Sequence, residues 1–412
     1  PSEAITAGGT ADEVHNIFGH YWNKMLYEHY QQEHPDTRLF HLNRSGYAGS
    51  PRYSIFPWTG DVSRSWNGLK AQLPILLGMS VSGIPYIHSD AGGFAMTDKK
   101  DPELYTRWLQ LSAFSPVFRP HGTALEADLE PSGTLTVESE PVFWPDSTKA
   151  IIKNLIHLRY DLTPYNYTLA YQQAKYGKPL MRPMYYDNFS DENLTKAEDQ
   201  YMWGDNILVA PVTEKGARIK RIYFPAGRWY DFMRNRFYDG GQWIMDSAAL
   251  SEVPMFVKQG GFVPTVWGYK NLDNYTTAKF FVLYFPSAKK TFYEMYDDDG
   301  LTNKAIEKKQ YELLQMEGMD AGNEIQFSIR SNGGKFTGRP GKRVIRFYIP
   351  EVKKQPSAIL LNDKTMENIL YAKEKRDGIR YEPGVCVYNA DTKMLTVVIE
   401  FSDKPVSVKI EK

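Results

Sequence analysis

The sequence predicts an α/β fold, about half of a (β/α)8 TIM barrel, followed by all-β sandwich domains. Three observations carry this. Up to Tyr186 the signals run helix, strand, strand, helix, strand, helix, helix, strand. Polar residues, Arg44, Asp61 and Asp90, follow the C-terminal ends of the strands, where a barrel carries its chemistry. From about Gln200 the texture changes to short alternating or apolar runs divided by turn signals. The division expected is a barrel portion over 1–205, a proximal sandwich over 206–272 and a distal one over 273–412.

The elements follow in order. Thr10-Ala-Asp-Glu13 has the form of a capping box. The helix after it places Val14, Ile17, Phe18, Tyr21, Trp22, Met25 and Leu26 on one apolar stripe. His34-Pro35-Asp36 ends that helix, and Arg38–Asn43 (RLFHLN) reads as a buried strand. Turn formers from Ser45 to Pro51 precede a second strand, Tyr53–Trp58. That link is short for a parallel crossover, which normally takes a dozen or more residues. A helix from about Ser63 to Gly78 contains Pro74, and a strand is expected over Ile84–His88. Asp101-Pro102 is an N-cap with proline at the first helical position. A helix from about Ser147 breaks near Thr163-Pro164 and continues to a Gly177 cap. Leu180–Tyr186 (LMRPMYY) is one more strand, counted with the barrel. Beyond it lie runs such as Ile207–Pro211, Ile219–Phe224, Phe280–Phe285, Val344–Ile349 and Met394–Ile399.

Composition narrows the function classes. Forty-nine Lys and Arg against 49 Asp and Glu leave no basic excess for nucleic acid. No apolar run is long enough to span a membrane. The single cysteine, Cys386, excludes an intrachain disulfide. PSEAITAGG has neither the basic nor the apolar region of a signal peptide, and the chain opens as though mid-protein.

The stretch Arg44–Asp61, RSGYAGSPRYSIFPWTGD, concentrates the candidate chemistry. Arg44 and Asp61 fall just past neighbouring strand ends, and Trp58 offers a flat apolar surface beside a carboxylate. Sugars suit such a place, because their C–H faces pack on aromatic rings while their hydroxyls seek charged partners. The same residues fit a plain loop ion pair with Trp58 in the core, and the stretch alone leaves both open. Asp61 and Asp90 would make the pair of carboxylates that glycosidic cleavage uses, although SDAGG is also a good turn in which Asp90 caps backbone N–H groups. His88 and Asp90 share one face of a strand, but no HxH, HExxH or cysteine cluster accompanies them, so no metal is expected. Tyr296-Asp-Asp-Asp-Gly300 lacks EF-hand spacing and reads as a turn.

Six runs occur in order: RSGYAGSPRYSIFPWTGD, PYIHSDAGGF, FSPVFRPHG, QYMWGDNILVAPV, GRWYDF and VPMFVKQGGFVP. Together they resemble the second half of the catalytic barrel and the C-terminal sandwiches of glycoside hydrolase family 31, over about Pro1 to Asp299. That family contains retaining α-glucosidases, α-xylosidases and transglycosylases, and shows the same compact link between the two strands. The resemblance implies that Asp61 is the general acid/base and that Arg44 and His121 bind hydroxyls of the sugar being cleaved. It implies that Trp58, Asp90 and Phe94 form the wall and floor of the same subsite, with Arg119 supporting Asp90. The family's nucleophile is an Asp in a Trp-x-Asp-x-x-Glu-like motif, which these 412 residues lack, Asp12 and Glu13 included. It is expected upstream, with the N-terminal half of the barrel as the missing partner, so the chain alone is expected to be inactive. The expectation is a retaining, exo-acting α-glycosidase, an α-glucosidase above all, acting on an oligosaccharide or α-glycoside without a cofactor. A transglycosylase or α-xylosidase on the same site, or a non-catalytic carbohydrate-binding fragment, are the alternatives.

Overall fold

Why does a helix form at the start? The capping box predicted at Thr10 closes: the Thr10 backbone N–H donates to Glu13 Oε2 at 2.7 Å. The turn Ala11–Val14 leads through a 3₁₀ segment into the helix Phe18–Glu33. These details come from a computed structural model, which describes residues 5, 6, 8–95, 100–122, 139–372 and 381–412. The opening residues 1–4 of the PSEAITAGG segment lie outside them.

The apolar stripe of this helix does not face the core of the described residues. Phe18, Tyr21, Trp22, Met25 and Leu26 are 41–59 % exposed. The inward face is the polar and aromatic one. His20 Nδ1 lies 2.8 Å from Ser50 Oγ, Asn23 Oδ1 is 3.2 Å from His41 Nε2, and Tyr27 packs on Tyr53. Periodicity located the helix correctly but not which of its faces these residues cover.

The strands His41–Asn43 and Ile55–Pro57 pair in parallel, His41 opposite Ile55. Residues 44–54 replace a crossover helix with a single 3₁₀ turn, Ser50–Tyr53. Left-handed backbone at Gly49 (φ 84°) and Ser54 (φ 56°) brackets that turn and reverses the chain within a short span. Parallel pairing then continues by single bridges, Trp58 with His88 and Ala91 with Pro120. The strand expected over Ile84–His88 is therefore mostly turn, and only its last residue joins the ladder. Four parallel segments thus stand side by side, with their C-terminal ends at Arg44, Asp61, Asp90 and His121.

Helices cover this arc. Ser65 caps Trp66–Val81 and Asp101 caps Pro102–Ala113, each side chain accepting one N–H of the first turn at 3.0 Å. Pro74 lies inside the first of these. Asp146–Asp161 and Thr163–Tyr176 follow with a break at Leu162, and Gly177 (φ 70°) ends the pair. Leu69, Leu73, Leu76, Trp108, Leu109, Leu155 and Tyr165 are buried beneath them.

Leu180–Tyr186 is corrected by the sheet topology. Its strand, Met181–Pro183, pairs antiparallel with Tyr201–Trp203 as the edge of a six-stranded sheet that also holds 207–209, 255–258, 228–231 and 236–239. It belongs to the β region, because the chain returns on it as a hairpin and no helix separates the two strands except the short Glu192–Lys196. The ribbon Ile219–Phe224 with Gln242–Ser247 packs on this sheet through Ile222, Phe224, Trp229 and Phe256. Beyond it two six-stranded sheets face one another. Arg343–Ile349 alternates buried and half-buried residues along one of them, and Ile345, Phe347, Phe327, Ile329, Val408 and Ile410 fill the space between.

A turn of this distal region reaches back to the barrel. Asp298, whose side chain is fully buried, accepts hydrogen bonds from Arg38, Tyr167 and Tyr296. Arg38 Nε donates to the Thr302 carbonyl at 2.9 Å, and Asn303 N–H to that of Asp36 at 2.8 Å. The Tyr296–Gly300 stretch is only partly the turn expected: Tyr296 and Asp297 end the strand Thr291–Asp297, and residues 298–300 form the loop that clasps the entry to the strand His41–Asn43.

Candidate active site

At the C-terminal ends of the parallel segments the predicted site residues meet. Arg44 Nη2 lies 2.9 Å from Asp61 Oδ1, and both side chains reach solvent. The Arg44 guanidinium stands 5.5 Å from the Trp58 ring and that of Arg119 5.6 Å, so the indole touches two cations. Arg119 Nη2 donates to Asp90 Oδ1, and His121 packs on Phe94 with ring centroids 5.5 Å apart. Arg44, Trp58, Asp61, Asp90 and Arg119 thus form one connected cluster, and Phe94 and His121 form a pair whose imidazole acts on Asp90 through its charge.

The segment carrying Asp90 is built around two glycines. Gly92 (φ 100°) and Gly93 (φ 83°) are left-handed, and a Cβ on Gly93 would sit 2.7 Å from Arg64 Cα. Arg64 Nε donates to the Gly93 carbonyl at 2.9 Å, while Trp108 Nε1 donates to Ser89 Oγ at 3.0 Å. His88, Ser89, Asp90 and Ala91 are buried as a result.

The two carboxylates differ in setting. Burial raises the pKa of Asp90, Arg119 and His121 lower it, and the charge of Asp61 adds to the rise. Asp90 Oδ1 is taken by Arg119, whereas Oδ2 is buried and has no partner among the described residues. Asp61 is open to solvent. The pairing of His88 and Asp90 that could suggest a metal is occupied by Arg119, which donates to both. Among the described residues no three His, Cys, Asp or Glu side chains converge on a cation site.

Sequence reasoning missed two supports, His88 and Arg64. The first had a signal, since His88 and Asp90 alternate on one strand face. The second had none, because Arg64 acts on a backbone carbonyl.

Two family models fit the chain: the glycosyl hydrolases family 31 TIM-barrel domain over residues 2–169 and the glycosyl hydrolase family 31 C-terminal domain over 177–263. The chain belongs to glycoside hydrolase family 31. Among family 31 relatives, an α-xylosidase of Saccharolobus solfataricus is 34% identical over 311 residues, 74% of this chain and 40% of that protein. Alpha-glucosidase 2 of Bacillus thermoamyloliquefaciens is 31% identical, over 79% of this chain and 39% of its own. The solved family 31 dextranase of Flavobacterium johnsoniae, a variant in complex with isomaltotriose, superposes with a TM-score of 0.87 at 27% identity. That match covers 99% of this chain and 50% of the dextranase chain. The chain thus spans about two-fifths of the length of these curated relatives.

Proposed function

We propose that this family 31 chain supplies the acid/base half of a retaining α-glycosidase site, with α-glucosides as substrates. The observation that carries the reading is Asp61: a solvent-reached carboxylate at a strand end, paired with Arg44 beside the face of Trp58. In the first step protonated Asp61 gives its proton to the glycosidic oxygen. An Asp supplied by preceding residues attacks the anomeric carbon, and the aglycone leaves as an alcohol. In the second step Asp61 takes a proton from water, which displaces the enzyme carboxylate. Arg44 and His121 would hold hydroxyls of the sugar in the subsite, with Trp58, Asp90 and Phe94 as its wall and floor and Arg119 supporting Asp90. The exposed stripe Phe18, Tyr21, Trp22, Met25 and Leu26, with Phe40 and Leu42 nearby, would pack against the preceding half of the barrel.

The test uses the complete protein. Asp61→Ala should cost about 10²–10⁴-fold on an α-linked disaccharide, where the leaving group needs acid help. An α-glycosyl fluoride should react almost normally in the first step and then stall as a covalent intermediate. Azide, which needs no deprotonation, should release an α-glycosyl azide from that intermediate. A β-azide would make Asp61 the nucleophile and overturn the assignment. Aryl α-glucosides, aryl α-xylosides and isomaltotriose separate the substrate readings, and product analysis at high substrate concentration separates hydrolysis from transfer to a second sugar.

A further inference from the structure

We propose that His88 is a positioning residue of this site: a neutral imidazole, protonated on Nδ1, whose Nε2 lone pair holds Arg119 to a single contact with Asp90. The inference rests on the reading of the site given above.

A guanidinium only donates hydrogen bonds, so whatever Arg119 Nε points at must accept one. It points at His88 Nε2, 3.2 Å away. An imidazole can accept there only when that nitrogen carries no proton, which leaves the single proton on Nδ1. Burial pushes His88 down to about 4, the Arg119 charge pushes the same way, and the carbonyls of Tyr86 and Pro57 pull against both. The ring is fully buried, and its Nδ1 has no hydrogen-bond partner of normal geometry.

The consequence concerns Asp90. Nε and an Nη of one arginine can together grip both oxygens of a carboxylate. With Nε committed to His88, only Nη2 reaches Asp90, on Oδ1. Among the described residues no donor reaches Oδ2, which is buried. His88 and Asp90 thereby hold the guanidinium from two sides, with the indole of Trp58 5.6 Å from it, so that Arg119 backs the subsite wall in one orientation.

The experiment is a cycle in the complete protein at positions 88 and 119. His88→Gln keeps an acceptor and should retain kcat/KM within a few-fold. His88→Leu fills the space without an acceptor and should lose about 10- to 100-fold, chiefly through KM. Lysine has no Nε–H of this geometry, so in an Arg119→Lys background Leu and His at 88 should perform alike. A cost of His88→Leu that persists undiminished in that background would make His88 a mere filler and overturn the proposal. Nitrogen NMR of the ¹⁵N-histidine-labelled protein gives a readout free of catalysis: an Nδ1–H tautomer at neutral pH is required, and an Nε2–H tautomer overturns the proposal even if the leucine variant does not fold. If the wild type cleaves no α-glycoside, the functional reading fails, while the tautomer still decides the hydrogen bond.

Discussion

The Arg44–Asp61 ion pair is reached by water from both partners, with 59% and 44% of the side chains exposed. Such pairs contribute little to stability. Arg44→Met should therefore leave the free energy of unfolding within about 0.5 kcal/mol of the wild type. Its activity should still fall, by about 10- to 100-fold in kcat/KM, if the guanidinium binds a substrate hydroxyl. Equal changes in both would reduce Arg44 to a structural part. Asp297 presents the opposite case. Burial pushes it up to about 6, against Thr277 and Arg343. Its folded pKa then lies above the unfolded value of about 3.9, so the folded state holds the proton more tightly. The associated stability is complete below the unfolded value and is lost as pH rises through about 6. The stability difference between wild type and Asp297→Asn should fall from pH 4 to pH 6 and level off above pH 7, which thermal unfolding measures directly. A flat difference across that range would contradict the assignment.

Among the elements, the clasp on Arg38 can be tested by itself. Asp298→Asn removes the charge facing Arg38 and leaves four donors, the Gly300 N–H among them, sharing a weaker acceptor. Breaking a buried pair costs roughly 3–5 kcal/mol. Arg38 keeps about a third of its side chain in water, so about 2–4 kcal/mol is expected here after that screening. A chemical-denaturation midpoint like that of the wild type would show the clasp to be incidental. The same region marks how far the sequence could be read. The caps at Thr10, Asp101 and Gly177 were legible because each is settled by residues within one turn. The proximity of the candidate residues was legible because they lie on short runs whose order is informative. The partner of Met181–Pro183 was not, since strand pairing is decided by the hairpin that returns on it. Nor could Tyr296–Gly300 reveal its partners, Arg38 and Tyr167, which stand far away in the chain.

At the scale of the molecule, the outward apolar stripe separates this chain from the whole protein. In the chain alone, Trp22 is half exposed, and Trp22→Ala should change stability by no more than about 0.5 kcal/mol. Where a preceding barrel half covers it, the same substitution should cost about 3–5 kcal/mol. A small cost in both settings would refute the proposed packing. The clasp also bears on the order in which the protein is made. Arg38 and Thr302 are 264 residues apart, and a ribosome adding about 5–20 residues per second needs roughly 13–53 s to travel between them. Throughout that interval the strand that delivers Arg44 lacks Asp298 and Thr302, the later-made part of its anchor. The nascent chain holds His41–Asn43 and Ile55–Pro57 together by one short parallel pairing, and non-local contacts form slowly. Residues 35–54 should therefore be cleaved faster by a protease in a chain ending before Asp298 than in the full chain.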